Sequence, residues 1–360
     1  MANRGHTLDP NIFTIRDLQV AATNKLPKIL QWRINGHDHV RFLQNCDFAW
    51  AGWFFPRLRD NEAAFNRYKI RPRILDKVSN IDTSTSIFGT KVAFPLGLSP
   101  AAMHSMAHPD AEIGTSRAAA KAGICMALST YATVSMEDVI AQGDANPYAF
   151  QMSLYKNKEA TEQLIRRAEA AGYKAIVLTV DAPVLGRRLN EYRNAFEPPK
   201  GTKFPNLSSD PSFSFVDASK DGLINATWTG KTRYHGLGNV PNSSSGSKEC
   251  TRRKTLSSPF ATASTGVIIS NHGGRQLDGV PATLDALREC APVAAGHIGI
   301  AIDGGIRRGT DIFKALALGA QHCFVGRIPI WGLAYNGENG VSLAINLLLE
   351  EFRLAMALSG

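Results

Sequence analysis

The chain has 360 residues, enough for one large α/β domain or two ordinary ones, and its 44% hydrophobic and 20% charged content is that of a globular protein. No run of about 18 apolar residues is present to span a membrane, and residues 1–10 have no apolar stretch of signal-peptide type, so an intracellular protein is expected. The net charge of +9 owes much to Lys231, Arg233, Lys248, Arg252, Arg253 and Lys254, which share one odd segment with no nucleic-acid-binding motif, and the five scattered cysteines lack CxxC spacing; no nucleic-acid partner, disulfide framework or metal site is expected.

Taken in chain order, the strand candidates are residues 94–98, 124–128, 149–154, 175–180, 267–270, 298–302 and 323–325. They are short, continuous apolar runs, as suits a parallel sheet covered on both faces. Between them lie stretches of helical periodicity, among them residues 111–122, 158–171, 310–318 and 340–356. Alternating strand and helix predicts βα units. The spacing is regular except between the fourth and fifth runs, where roughly 85 residues intervene, and a closed (β/α)8 barrel needs one strand more than the seven counted.

In such a barrel the active site lies at the C-terminal ends of the strands. The clusters there are Ser99-Pro100-Ala101-Ala102-Met103, Ser129-Thr130-Tyr131, Gln151, Thr179-Val180-Asp181 followed by Gly186-Arg187-Arg188, Ser270-Asn271-His272-Gly273-Gly274-Arg275-Gln276-Leu277-Asp278, Asp303-Gly304-Gly305-Ile306-Arg307-Arg308-Gly309-Thr310, and Gly326-Arg327. The last two suit a phosphate cradle, because glycines admit the backbone, helix-start N–H groups face the anion and arginines add charge-assisted bonds. Glycine-rich barrel loops also arise for steric reasons alone. On its residues, His272 is either a hydrogen-bonded loop residue or an imidazole base beside the carboxylate-binding guanidinium of Arg275. Asp181 is either a helix cap or salt-bridge partner, or the carboxylate that orients that imidazole.

The stretch from Ser270 to Asp278 resembles the active-site motif of the FMN-dependent 2-hydroxy-acid oxidases and dehydrogenases, the family of glycolate oxidase, lactate oxidase and the flavin domains of L-lactate:cytochrome c reductases. The stretch from Asp303 to Leu316 is similar to the same family's phosphate loop, and the likeness covers roughly residues 58–205 and 266–360. The resemblance implies a single (β/α)8 domain that binds FMN and oxidises a small L-2-hydroxy acid to the 2-oxo acid, passing electrons to oxygen or another acceptor. It implies His272 as catalytic base with Asp181 behind it, Arg188 and Arg275 on the substrate carboxylate, and Tyr131 lining the substrate cavity. It further implies Ala102, Ser129, Gln151, Thr179 and Ser270 around the flavin ring and ribityl chain, and Asp303, Gly305, Arg307, Gly326 and Arg327 at its phosphate end. A homotetramer or higher assembly, in the cytoplasm or peroxisome, is the corresponding expectation.

Three departures from the family stand out. Ser153 occupies a position where the family has a substrate-contacting tyrosine. Residues 29–57 replace a shorter aromatic stretch that carries another tyrosine. Residues 216–264 form an atypical segment in place of the fifth strand, with no run resembling the family's strand ending in Lys-Gly. Ser245-Gly246-Ser247 has no strand character, so Lys248 is not expected to stand in for the family's lysine at the flavin N1 edge. Weak flavin binding and a catalytically impaired, barrel-derived phosphate-binding protein form the alternative expectation, since a barrel short of one strand has exposed edges.

Overall fold

The computed structural model describes residues 7–27, 30–31, 34, 56–184, 186, 196–199, 201–208, 244–248 and 265–360. Its centre is a closed barrel of eight parallel strands. In sequence order these are β3 (Leu96–Leu98), β4 (Cys125–Ser129), β5 (Tyr148–Met152), β6 (Ala175–Thr179), β7 (Ser244–Lys248), β8 (Gly266–Ile269), β9 (Gly299–Asp303) and β10 (His322–Val325), with β10 closing on β3. All seven expected strands are present within two residues of their predicted bounds.

The eighth corrects the sequence reading. Five residues of the atypical segment, Ser244–Lys248, form the fifth barrel strand, hydrogen-bonded to β6 on one side and β8 on the other. Local propensity is against a Ser-Ser-Gly-Ser-Lys strand, but two neighbouring edges with unpaired backbone groups demand a partner, and closure outweighs the unfavourable residues. Among the described barrel strands no edge is left open, so the predicted exposed barrel edges are absent.

Helices wrap the barrel: α1 (Ile15–Lys25), α2 (Pro56–Arg67), α3 (Ala111–Lys121), α4 (Met136–Ile140), α5 (Lys158–Ala171), α6 (Thr283–Ala294), α7 (Gly309–Ala317) and α8 (Arg327–Ser359). The predicted helix over residues 340–356 is the second half of α8, which bends at Asn336 and Gly337, where the backbone leaves helical φ/ψ. The bend folds the two halves together. A Cβ on Gly340 would lie 2.0 Å from the Gly332 carbonyl oxygen, so only glycine permits the approach.

Two apolar layers result from the period-2 alternation of the strands. Outward residues such as Leu96, Met126, Phe150, Ile176, Ile269 and Ile302 pack under the helices, while Cys125, Ala127, Ala149, Ala175, Val177, Ile268, Ala301 and Phe324 fill the barrel's interior. Ile87 and Phe88, on a hairpin of β1 (Thr85–Ile87) and β2 (Thr90–Val92), pack against that interior cluster.

His322 of β10 also lies inside this wall, 2% exposed, its ring edge-on to Phe324 at 5.2 Å. Burial lowers its pKa to about 3. The unfolded chain takes up a proton near pH ~6.5 that the native state refuses until far lower pH, so this contribution to stability is complete above ~6.5 and declines below it. The slope is ~1.4 kcal/mol per pH unit. Urea midpoints between pH 7 and 4 are expected to fall less steeply for His322→Leu than for the parent chain. Parallel slopes would show that this histidine is not the group being titrated.

Candidate active site

On the barrel's inner face four strands, β4, β5, β6 and β9, grade from apolar at the start to polar at the end. Cys125 and Ala127 precede Ser129, Ala149 precedes Gln151, Ala175 and Val177 precede Thr179, and Ala301 precedes Asp303. Ser129, Gln151, Thr179, Ser270 and Asp303 therefore form a polar rim above an apolar floor, none more than 9% exposed. The rim is internally bonded: Gln151 Nε2 donates to Thr179 Oγ1 at 2.9 Å, and Ser99 Oγ donates to Asp303 Oδ2 at 3.2 Å. Ser129 Oγ accepts from the Tyr131 N–H and Ser270 Oγ from the His272 N–H, each at 3.1 Å. These bonds aim the two loop residues over the rim.

The loop after β8 brings the histidine into place. Asn271 and Asn61 of α2 exchange side-chain amide bonds at 2.9 Å in both directions, both residues being buried. His272, Gly273 and Gly274 then all adopt positive φ, at 56°, 60° and 78°. A histidine in the left-handed region carries a conformational cost, and such strain collects at functional sites. What the turn achieves is proximity: His272 Nδ1 stands 3.2 and 3.3 Å from the two carboxylate oxygens of Asp181, on the loop after β6. The side chains are 27% and 18% exposed, so the pair sits at the barrel mouth rather than in the core. With Nδ1–H donating to the carboxylate, Nε2 is the nitrogen that carries a lone pair.

Gln276 joins the two loops. Its Nε2 donates to the carbonyls of Asp181 and Val184, and its Oε1 accepts from the Gly186 N–H at 2.9 Å. A Cβ on Gly186 would lie 2.5 Å from the Arg275 carbonyl oxygen, so the backbone at Gly186 packs directly against that of Arg275. Arg188 itself lies outside the described residues, as do most of residues 29–57 and 216–264. On the opposite side, the carbonyl of Tyr131 accepts from the Met103 N–H at 3.3 Å, which ties the Ala102 loop to the end of β4. Ser153, one step beyond β5 on the same alternation as Gln151, is buried at 4% exposure.

The two glycine loops meet near the end of β10. Gly304 and Gly305 have φ of 94° and 85°, and a Cβ on Gly305 would stand 2.2 Å from the Asn61 carbonyl oxygen. Asp311 Oδ2 accepts from the N–H groups of Arg307 and Arg308, both at 2.9 Å, fixing the entry to α7; burial raises this carboxyl's pKa, and those two bonds oppose the rise. Arg307 pairs with Glu62 at 2.7 Å and lies 5.0 Å from the Trp331 ring. Arg327, the first residue of α8 after Gly326, donates to the carbonyls of Gly273 and Ile34, both at 3.0 Å. The arginine of one glycine loop thus holds the histidine loop.

Lys248 is the last residue of β7, in register with Thr179 of β6 and Ile268 of β8, both on the inner face. A lysine therefore ends the fifth strand, where the sequence reading expected no strand. Sequence reasoning also passed over Asn61, Glu62 and Gln276. All three lie in stretches that resembled the family, but their roles are contacts between distant segments. Gln276→Ala is expected to loosen the β6 loop and raise KM for a carboxylate substrate about tenfold, with bound flavin unchanged. Steady-state kinetics alongside the flavin-to-protein absorbance ratio would show it, and an unchanged KM would deny the staple a role in binding.

Residues 56–360 match the family described as FMN-dependent dehydrogenase. The chain is 47% identical to "Oxidase FUB9" of Fusarium oxysporum f. sp. lycopersici, over 98% of this chain and 88% of that protein. It is 41% identical to "Glycolate oxidase 1" of Zea mays, over 97% and 92%, and 40% identical to human "2-Hydroxyacid oxidase 1", over 98% and 94%. Among solved structures it is similar to a mandelate oxidase bound to 3,3-difluoro-2-hydroxy-3-phenylpropionic acid, with TM-score 0.82 and 31% identity over 97% of this chain and 95% of that one. It is likewise similar to a lactate oxidase of Pediococcus acidilactici, with TM-score 0.83 and 30% identity over 99% and 92%.

Proposed function

The chain belongs to the FMN-dependent dehydrogenase family, and from that premise we propose that it oxidises a small L-2-hydroxy acid to the 2-oxo acid with His272 as the base. The observation that carries the reading is the His272–Asp181 pair, held at the barrel mouth beside the Arg275 loop.

The residues present fit FMN. A flat ring that is polar along its edges and apolar on its faces needs hydroxyl and amide partners around an apolar bed, which the rim of Ser129, Gln151, Thr179 and Ser270 over the alanine-rich floor provides. To the backbone of Ala102, whose neighbour Met103 is tied to Tyr131, we assign a further contact with the ring. A phosphate needs backbone N–H groups and cationic forks; we assign that end of the cofactor to the loops after β9 and β10, with Gly305 and Gly326 admitting the backbone, Arg307 and Arg327 as the cations and Asp303 on the adjoining ribityl chain. To Lys248, the last residue of β7, we assign the part of stabilising negative charge at the ring's edge. When bound, FMN would take up the substrate's α-hydrogen with its two electrons and pass the electrons to oxygen or another acceptor.

The protein's own part is binding, orientation and one proton. Arg275 and Arg188 hold the carboxylate, which fixes the α-carbon and its hydroxyl relative to the imidazole. His272, its Nδ1–H committed to Asp181, takes the hydroxyl proton at Nε2, and the carboxylate stabilises the imidazolium that forms. Tyr131 lines the wall, and the small side chain of Ser153 leaves room that a bulkier residue would fill. Anaerobic mixing with L- and D-2-hydroxy acids of increasing side-chain size tests this, with bleaching of the flavin absorbance expected for L-acids only. Flavin that stays oxidised with every L-2-hydroxy acid would end the proposal.

A further inference from the structure

We infer that Glu112 is a positioning residue: its buried carboxylate sets the spacing between the loop assigned to the flavin ring and the loop that carries the substrate wall. The inference rests on the parts given above to Ala102 and Tyr131. Glu112 is the second residue of α3, and an acid in the first turn of a helix is ordinarily a solvated group that complements the helix dipole. This one is 0% exposed. Burying a carboxylate is costly unless hydrogen bonds satisfy it, so its partners show what the burial accomplishes.

The partners come from two loops. Oε1 accepts from the His104 N–H at 3.0 Å and from the Thr133 N–H at 2.9 Å, and Oε2 accepts from the Thr133 hydroxyl at 2.7 Å. His104 follows Ala102 by two residues on the loop after β3, and Thr133 follows Tyr131 by two on the loop after β4. One carboxylate oxygen thus joins equivalent points of the two loops. The Thr133 hydroxyl, its proton committed to Glu112, accepts from the Ser105 N–H at 3.4 Å, and the Met103 N–H donates to the Tyr131 carbonyl. The His104 ring shares a further bond with the hydroxyl of Thr115 at 3.0 Å, so α3 grips this loop by side chain as well as backbone.

The backbone shows what the clamp resists. Met103 has a φ of 61°, in the left-handed region that a methionine keeps only when its surroundings hold it there. Without the bond to the next residue, the turn would relax toward ordinary φ and carry the Ala102 backbone with it. The histidine loop is braced separately, by Asn61 and Gln276. Glu112 therefore bears on how the ring and the substrate wall face each other, and not on the base or the carboxylate clamp.

The test compares the FMN-loaded parent with Glu112→Ala, Glu112→Gln and Thr133→Val. Measured are amide hydrogen exchange, the anaerobic rate of flavin reduction by an L-2-hydroxy acid, and the Kd of the 2-oxo acid product read from flavin absorbance. For Glu112→Ala, exchange across residues 101–105 and 131–135 is expected to rise about tenfold or more, while residues 270–276 keep the parent rate. Flavin reduction is expected to slow about 100-fold with the Kd unchanged. Glutamine offers one acceptor to both N–H groups and an amide N–H to the Thr133 hydroxyl, which turns to accept it, so Glu112→Gln should restore both rates. Thr133→Val keeps the carboxylate and its two N–H bonds and loses only the hydroxyl link. Faster exchange in residues 101–105, on the loop across from the substitution, is expected of it, and that result decides the matter should Glu112→Ala not fold. Exchange that rises in one loop alone or in neither, Glu112→Gln as slow as Glu112→Ala, or a lowered Tm with the parent's reduction rate would each overturn the inference. Exchange needs no substrate. A parent chain whose flavin no L-2-hydroxy acid reduces would end the proposed function, while the exchange rates still judge the clamp.

Discussion

Substituting asparagine for His272 is expected to slow flavin reduction by an L-2-hydroxy acid by about 10^2- to 10^4-fold while leaving the flavin bound. Asparagine is the instructive replacement because the position has φ of 56°. Asn tolerates the left-handed region several-fold better than most residues, so the turn survives and only the titratable nitrogen is lost. The contacts that hold the loop are backbone or belong to neighbours: the residue-272 N–H to Ser270, the Gly273 carbonyl to Arg327, and the amide pair of Asn271 with Asn61. None depends on the imidazole. Rapid mixing under anaerobic conditions reads the reduction rate, and the flavin-to-protein absorbance ratio reads the cofactor. A variant that reduces its flavin within tenfold of the parent rate would remove His272 from the role of base. Asp181→Asn should give a smaller loss in the same direction, since it leaves the base in place without the charge that stabilises its protonated form.

Gly305→Ala is expected to be the most damaging single-methyl change at the site. Its added Cβ would stand 2.2 Å from the Asn61 carbonyl oxygen and 2.5 Å from that carbonyl's carbon, both backbone atoms. The contact cannot be relieved by rotating a side chain. The loop or α2 must shift, in a residue whose φ of 85° is itself unfavourable for alanine. Strain of about 1–2 kcal/mol from the backbone adds to about 1–3 kcal/mol from overpacking. Any shift moves Asn61, whose side chain holds Asn271 and the Thr283 N–H, so the phosphate loop and the histidine loop are disturbed together. Loss of FMN on gel filtration and a Tm lowered by several degrees are the expected measurements. An alanine variant that keeps its flavin and its Tm would show that the loop is not held against Asn61.

The same amide pair shows why part of the site was legible in the sequence and part was not. His272, Arg275, Asp303 and the glycines lie in contiguous stretches where residue types and spacing state the chemistry, so reading along the chain finds them. Asn61, Glu62 and Gln276 act on partners far away: Asn61 on Asn271, Glu62 on Arg307, and Gln276 on the loop after β6. Asparagine, glutamate and glutamine are ordinary surface residues until the fold brings such partners to hydrogen-bonding distance. No local pattern distinguishes them.

The fifth strand is the sharper case. Apolar runs at regular spacing were by themselves sufficient to specify seven parallel strands, the alternation with helices and the barrel, because burial on both faces imposes a composition that survives in the one-dimensional text. Ser244–Lys248 carries no such composition. Its place is decided by its neighbours: β6 and β8 each present a row of backbone donors and acceptors that must be paired, and only the closed structure supplies that requirement. Side-chain chemistry was written in the order of the residues. Which backbone had to complete the ring, and which distant side chains brace the catalytic loops, was settled by three-dimensional closure, since hydrogen-bond pairing is a relation between segments and not a property of any one of them.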